Sequence, residues 1–406
     1  MRTVDELGMK CIVAAMKGVY CILKLLPVQK KAVFISRQTD ETPVDFRLII
    51  EELESRKCGW KTVVLAKRLR KSAAGIVGYG FHTLRQMYHI ATARVVLVDG
   101  YCIPVSVLSH KENLKIIQIW HAMGCMKKFG YAMIGEEEGS SEDVARIMKM
   151  HRNYDYALIS SYSFVRDYIE GFRIEREKIV QIPLPKADLL ISEEYLRNQR
   201  DKLTGKHHVL AEKRNILYCP TFRKDETTAG EGIRRLIDEI DFGRYNLIYN
   251  PHPNSRVEVN DPRVMILPYP TMELLAVADC VISDYSSVIY EAGLAKKPVY
   301  LYGYDWKEYS RKRAFNLDIT KDVPTLFTDN PGEILKAIDD DDFDHERFSE
   351  FIDRNVVMPE GGCTSAIADL ILGRGEKEID YEGYNENHTG RKTQWKEQRY
   401  SVILHR

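Results

Sequence analysis

The chain lacks any C-x-x-C pair and any Cys/His spacing suited to zinc, although it has eight cysteines. Cys11, Cys21, Cys58, Cys102, Cys125, Cys219, Cys280 and Cys363 stand singly, several inside apolar strand-like runs. They read as buried reduced thiols of a cytosolic protein, not as a disulfide framework or a metal centre. Net charge is missing as well, since 59 Lys and Arg balance 59 Asp and Glu. Without a basic surplus, bulk electrostatics predicts no nucleic-acid partner. Nothing repeats internally and no block has low complexity. The acidic turn Glu136 to Glu138 has no D-x-D pattern beside it, so neither a metal site nor a cofactor is expected there.

A clean membrane span is also wanting. Leu7 to Leu26 is mostly apolar, but Lys10, Lys17 and Lys24 recur every seven residues and would form one stripe on a helix. Three lysines argue against a spanning helix, and no small-residue cleavage site suggests a signal peptide. Residues 1–27 are therefore read as an amphipathic helix on the inner-leaflet surface, with Lys30 and Lys31 adding attraction to anionic lipid. The competing reading is an amphipathic helix docked on the first domain.

What is present is an α/β chain of two domains. Its 406 residues, 44% hydrophobic and 29% charged, suffice for two ordinary cores. Strands are expected at Lys31–Ser36, Lys61–Ala66, Arg94–Val98, Leu114–Trp120 and Tyr156–Ser160, with helices at Asp45–Ser55, Gly80–Ala91 and Ser163–Tyr168. A polar helical stretch from Ile191 to Ala211 interrupts the alternation. It resumes with strands Asn215–Cys219, Asn246–Tyr249, Val264–Leu267 and Cys280–Ile282, and helices Ile233–Phe242 and Met272–Ala278. Such alternation implies parallel sheets with helices on both faces. The boundaries follow: a first doubly wound domain over 28–195, a second over 212–372 and a polar tail over 374–406.

Four strand ends carry polar residues, and open α/β sheets bind ligands at such ends. Ser283-Asp284-Tyr285-Ser286-Ser287 precedes a helix running through Glu291 to Ala295. Small hydroxyl residues at a helix start, with the helix dipole behind them, suit a phosphate or pyrophosphate. Trp120-His121 puts a histidine past a strand, with Lys127 and Lys128 close behind. Pro220-Thr221-Phe222-Arg223 offers a hydroxyl and a guanidinium, and Pro251-His252-Pro253 a second histidine between stiffening prolines. Together, split between two domains, they point to transfer chemistry across a cleft.

The ordered set W-H-x-x-G-x-x-K-K, P-T-F-R, H-P and S-D-Y-S-S-x-x-x-E resembles the CDP-glycerol glycerophosphotransferases of teichoic acid synthesis, from about Pro27 to about Leu372. The resemblance implies a GT-B fold, in which two Rossmann-like domains face a central cleft. The C-terminal domain would bind the CDP-activated donor and the N-terminal one would face the acceptor. It further implies a peripheral protein on the cytoplasmic face of the cell membrane, acting on a lipid-linked saccharide or growing polymer. By the same resemblance His121 is the base that takes the acceptor proton, and His252 binds pyrophosphate or the leaving CMP. Thr221 and Arg223 hold phosphate oxygens, Asp284, Ser286 and Ser287 cradle the diphosphate, and Glu291 accepts hydrogen bonds from the ribose. Lys127, Lys128, Arg311 and Arg313 are candidate acceptor-binding cations, with a solvated face as the plainer reading of such charge.

Many family members read H-G-T where this chain has His121-Ala122-Met123, and that loop should border the acceptor. Diphosphate motifs do not read the alditol, so CDP-ribitol stands beside CDP-glycerol as donor. Two further readings stay open: a sugar-nucleotide glycosyltransferase or epimerase on the same fold, and a non-catalytic membrane-associated binding module. The oligomeric state has no signature in the sequence.

Overall fold

A computed structural model describes residues 2–374 except 71 and 138, with side chains from Glu6 onward. The expected polar tail beyond Arg374 lies outside the described residues. Two six-stranded sheets carry the architecture, and every pairing within them is parallel. The first contains β1 (Lys31–Ser36), β2 (Lys61–Ala66), β3 (Val95–Val98), β4 (Lys115–Gln118), β5 (Tyr156–Ile159) and β6 (Ile179–Gln181). The second contains β7 (Arg214–Cys219), β8 (Tyr245–Tyr249), β9 (Val264–Met265), β10 (Cys280–Ser283), β11 (Val299–Tyr302) and β12 (Phe327–Thr328). Runs such as Ala32–Ile35 and Val95–Val98 are buried throughout, as strands covered by helices on both faces must be.

Strand order places the ligand crevices. The second sheet runs β12-β11-β10-β7-β8-β9, the dinucleotide-binding order in which the chain reverses direction between its first and fourth strands. Its switch point lies between β7 and β10, where Thr221 and Ser286 emerge. The first sheet runs β2-β1-β3-β4-β5-β6, a flavodoxin-like order whose switch point lies between β1 and β3. Both sheets are doubly wound as expected, but they open their crevices at different strand pairs.

The expected second unit of 212–372 needs correction at its end. Helix Cys363–Leu372 packs on α2 (Val44–Ser55) of the first domain. Arg56 Nη1 meets Asp369 Oδ1 at 2.5 Å, and Asp188 caps the helix start across the chain, accepting from Cys363 N at 2.7 Å and Thr364 N at 2.8 Å. A remote carboxylate satisfies orphan N–H groups that no local residue reaches. The preceding segment also crosses over, since Ser160 and Ser161 donate to the carbonyls of Asn355 and Arg354, each at 2.7 Å.

The first helix, α1 (Arg2–Leu23), docks one side on the first domain. Val13 and Tyr20 are buried, Met16 and Leu23 pack on the first core, and Tyr20 Oη lies 2.9 Å from His110 Nδ1. Its other side leaves Leu7, Ile12, Val19 and Ile22 exposed. Beside it runs α3 (Ala73–Ala91), which starts earlier than the expected Gly80 because Ser72 caps it, accepting from Gly75 N.

Two backbone features shape the turn that carries His121. The expected strand Leu114–Trp120 ends at Gln118, and Trp120 adopts φ 60°, a left-handed conformation that a bulky residue rarely takes and that costs on the order of 1–3 kcal/mol. Gly124 sits at φ 69°, and an added Cβ would lie 2.2 Å from the Tyr290 ring. Only glycine lets this loop approach the helix Val288–Leu294. Gly124→Ala combines ring overlap with left-handed strain and should lower stability by roughly 2–5 kcal/mol. Gly135→Ala, at φ 88° with open space around it, should cost only the strain. Equal losses in urea unfolding would remove the close approach from the account.

Candidate active site

The cleft is assembled from loops at the carboxyl ends of both sheets. From the first sheet comes His121, whose Nδ1 lies 2.8 Å from the Asp99 carbonyl. A carbonyl only accepts, so this shorter contact puts the proton on Nδ1 and the lone pair on Nε2; the Gln38 amide nitrogen lies farther from Nδ1, at 3.4 Å. The ring stacks on Trp120 at 4.4 Å between centroids. One edge stays open to solvent, but the dense surroundings govern its titration. Burial lowers its pKa, the Asp99 carbonyl partly offsets this, and Lys186 lowers it further.

His252, past β8, has the opposite arrangement. Its Nδ1 accepts from the backbone N–H of Asn254 at 3.2 Å, so in the neutral ring the proton sits on Nε2. The ring leans on Phe222 at 5.6 Å. Burial lowers its pKa first, and Lys127 and Arg68, both from the first domain, lower it further. Those two cations place His252 at the mouth shared by both lobes.

Lys127 spans that mouth. Its Nζ lies 3.4 Å from Thr221 Oγ1 and 5.1 Å from the Tyr309 ring centre. The backbone on either side of it is stapled across the cleft: Lys128 N donates to Ala314 O at 3.0 Å and Asn316 N to Met126 O at 2.9 Å. Arg313 is half-buried beside this staple, while Arg311 is exposed on the helix Trp306–Lys312. The two candidate arginines thus occupy different environments.

Arg223 and Asp284 are placed differently from the expectation that they touch phosphate. Arg223 is 7% exposed and Asp284 0%. Arg223 donates to Asp284 Oδ2 at 2.8 Å, to Asp305 Oδ2 at 2.7 Å and to the Thr221 carbonyl at 2.7 Å. Asp284 in turn accepts from Thr221 N at 2.9 Å and Tyr285 N at 2.5 Å. The rings of Tyr285, Tyr304 and Tyr309 surround the guanidinium. Desolvation alone would lower the Arg223 pKa, but Asp284 and Asp305 outweigh it and raise it. This cluster ties together the loops after β7, β10 and β11, with its charges directed at one another.

Ser286 and Ser287 are half-buried at the same switch point, and Ser286 Oγ accepts from Val288 N at 3.3 Å while its O–H is left to donate. The helix behind them spans only Val288–Leu294, seven residues. The expected weight of a helix dipole therefore passes to hydroxyls and to Lys127. Glu291 on that helix meets Lys186 Nζ at 2.6 Å, both side chains nearly buried. Burial would lower Lys186, but Glu291 and Asp45 more than compensate and its pKa is raised. Since Lys186 also acts on His121, the Glu291 carboxylate of the second domain lies near the imidazole of the first.

Sequence reasoning missed Lys186, Asp305, Asp99 and Gln38, none of which sits in a motif. Only Asp99 had a readable position, immediately after the apolar run Val95–Val98.

A sequence profile of the family described as CDP-Glycerol:Poly(glycerophosphate) glycerophosphotransferase matches residues 19–373. A teichoic acid ribitol-phosphate primase of Bacillus spizizenii is 31% identical over 359 residues, covering 86% of this chain and 92% of that protein. A teichoic acid glycerol-phosphate primase of Bacillus subtilis is 26% identical over 347 residues, covering 80% and 88%. Among solved structures, the wall teichoic acid polymerase TagF superposes with a TM-score of 0.70 at 20% identity, over 91% of this chain and 96% of that one. The GT-B fold expected from the motifs is thereby the observed one. The chain belongs to the CDP-glycerol:poly(glycerophosphate) glycerophosphotransferase family.

Proposed function

We propose that the protein transfers an alditol phosphate from a CDP-alditol to a hydroxyl of a lipid-linked saccharide or growing polymer in teichoic acid synthesis, releasing CMP. One observation carries the reading: the Nδ1 atoms of the two cleft histidines have opposite partners, an acceptor carbonyl for His121 and a donor N–H for His252. That pairing leaves His121 Nε2 as the base and His252 Nε2–H as the donor. The acceptor oxygen attacks the β-phosphorus and its proton passes to His121 Nε2. The new O–P bond replaces the bond to the bridging oxygen, and His252 with Lys127 meets the charge that develops on CMP. Ser286, Ser287 and Thr221 supply hydroxyl donors to the diphosphate, and Glu291, held by Lys186, accepts from the ribose. Phosphoryl transfer needs mainly such positioning and charge neutralisation.

His121→Ala should abolish CMP release while leaving CDP-alditol affinity within a factor of about two, because the base acts on the barrier and not on donor binding. A lowered imidazole pKa keeps the base neutral to more acidic pH. The acid limb of kcat/KM against pH should therefore fall below the ordinary histidine value of about 6.5. Lost donor affinity, or a limb at or above that value, would take the base role from His121.

For the unit moved, ribitol phosphate is favoured: the relative at 31% identity is named for ribitol phosphate, and the glycerol-phosphate primases match at 25 to 28%. A ligand that binds only the native state raises its melting temperature. CDP-ribitol should do so more than CDP-glycerol, and UDP-sugars should do little. A larger shift with CDP-glycerol reverses the choice, and one confined to UDP-sugars replaces the donor class.

A lipid-linked acceptor implies peripheral placement at the cytoplasmic face of the membrane, and the surface supports it. Among the described residues no helix is long and apolar enough to span a bilayer. Yet α3 exposes Ile76, Val77, Phe81, Leu84 and Tyr88 beside the open face of α1, with Phe81 71% accessible. An apolar helical face with lysines nearby suits an anionic lipid surface. Ile76→Ser with Phe81→Ser removes two side chains worth about 1.5–3 kcal/mol each on burial. Binding to phosphatidylglycerol vesicles should weaken at least about tenfold, with the melting temperature unchanged. Undiminished co-sedimentation would overturn the anchor.

A further inference from the structure

The first sheet has a switch-point crevice of its own, and none of the phosphate-binding groups lies in it. It forms a cavity of about 170 Å³. Its polar wall is Gln38, Thr39, Asp45, Asp99 and His121, and its apolar wall includes Phe46 and Trp120. Gln38 and Thr39 follow β1, Asp99 follows β3 and His121 lies past β4, so the cavity occupies the position where such sheets bind ligands.

Three properties limit the occupant. Asp99 is 5% exposed; the Ser36 side chain and the Arg37 backbone N–H act on its carboxyl, while its Oδ1 has no hydrogen-bond partner among the described residues. A buried carboxylate oxygen in that condition is costly unless something donates to it. Two carboxylates and no Lys or Arg line the wall, so the lining offers a phosphate or diphosphate no cation to pair with, the Lys186 ammonium behind Asp45 being held by Glu291. The volume also lies well below the roughly 300 Å³ of sites for larger ligands, so a nucleotide does not fit.

Resting on the transferase reading above, we propose that this cavity binds the neutral polyol end of the acceptor, with Asp99 and Thr39 receiving its hydroxyls and the Phe46 and Trp120 rings its C–H faces. The hydroxyl that remains free then points at His121, the only imidazole in the lining. Burial lifts the Asp99 carboxyl to about 6, so it is an anionic acceptor of hydrogen bonds at neutral pH. Asp99 is a positioning residue for the acceptor, not a proton-transfer group.

The test is binding of free glycerol and free ribitol to the full chain by saturation-transfer NMR, a readout independent of CMP release. Wild type should transfer to the polyol C–H protons. Inorganic phosphate, CDP and saturating CDP-ribitol should leave the glycerol signal in place. Asp99→Asn and Thr39→Val should each reduce it at least about fivefold while keeping the wild-type melting temperature. If Asp99→Asn unfolds, Thr39→Val alone decides. No signal with wild type, or full signal in both variants, overturns the proposal. Displacement by CDP-ribitol but not by CDP would give the cavity to the donor's alditol instead and overturn the acceptor assignment. Failure of CMP release with an intact polyol signal would count against the transferase reading and not against the cavity.

Discussion

One guanidinium organises the second domain's side of the cleft. Arg223 sits between Asp284 and Asp305, so the loops after β7, β10 and β11 converge on a single buried charge. Burying three ionised groups is costly, and the arrangement stands only because hydrogen bonds and three tyrosine rings occupy nearly every side of it. Removing one partner from such a cluster typically costs about 3–5 kcal/mol, because the others are left charged and unpaired. The consequence is positional. Asp284 fixes the Thr221 N–H, Thr221 Oγ1 reaches Lys127, and Lys127 belongs to the loop that carries His121. The loop that carries His121 is thus tied to the switch point of the second sheet through a chain of polar contacts that begins at a buried charge.

That chain explains which parts of the protein were legible in the sequence. Strand positions were readable because buried parallel strands are continuous apolar runs, as Lys31–Ser36 and Arg214–Cys219 show. The ends of those runs named His121, Thr221, His252, Ser286 and Ser287. Their division of labour was not readable. Arg223 and Asp284 sit in the same motifs as the hydroxyls, and only packing separates a buried strut from a group that faces the cleft. Lys186 and Asp188 lie in an ordinary polar stretch, and their partners Glu291 and Thr364 are more than a hundred residues away. Contacts at that separation leave no periodicity to detect. The crossing of helix Cys363–Leu372 to the first domain was hidden for the same reason: its apolar face is compatible with either core.

The two domains also divide the chemistry by strand order. The sheet that reverses between β7 and β10 carries hydroxyls and a lysine at its switch point, groups able to meet an anion. The other reverses between β1 and β3 and has there a small cavity whose lining includes two carboxylates and no cation. On the proposed reading, charge would sort the two substrates before any shape is read: the hydroxyls and Lys127 would favour the anionic donor, and the cation-free lining around Asp99 the neutral polyol. His121 lies at the border of the two sites, where the proposed base would meet both the acceptor's hydroxyl and the donor's phosphorus.

Strain at that border has a physical reason. Trp120 adopts a left-handed backbone and Gly124 a second one, within five residues of chain. A relaxed continuation of β4 would carry His121 along the sheet, away from both crevices. The sharp turn instead brings its Nδ1 back to the Asp99 carbonyl, which selects the tautomer with Nε2 free. A histidine released from that carbonyl could rotate or exchange its proton, and the same side chain would lose the lone pair that faces the cleft. The conformational cost at Trp120 and the short hydrogen bond at Nδ1 therefore belong together: the first places the ring and the second favours the tautomer with Nε2 unprotonated.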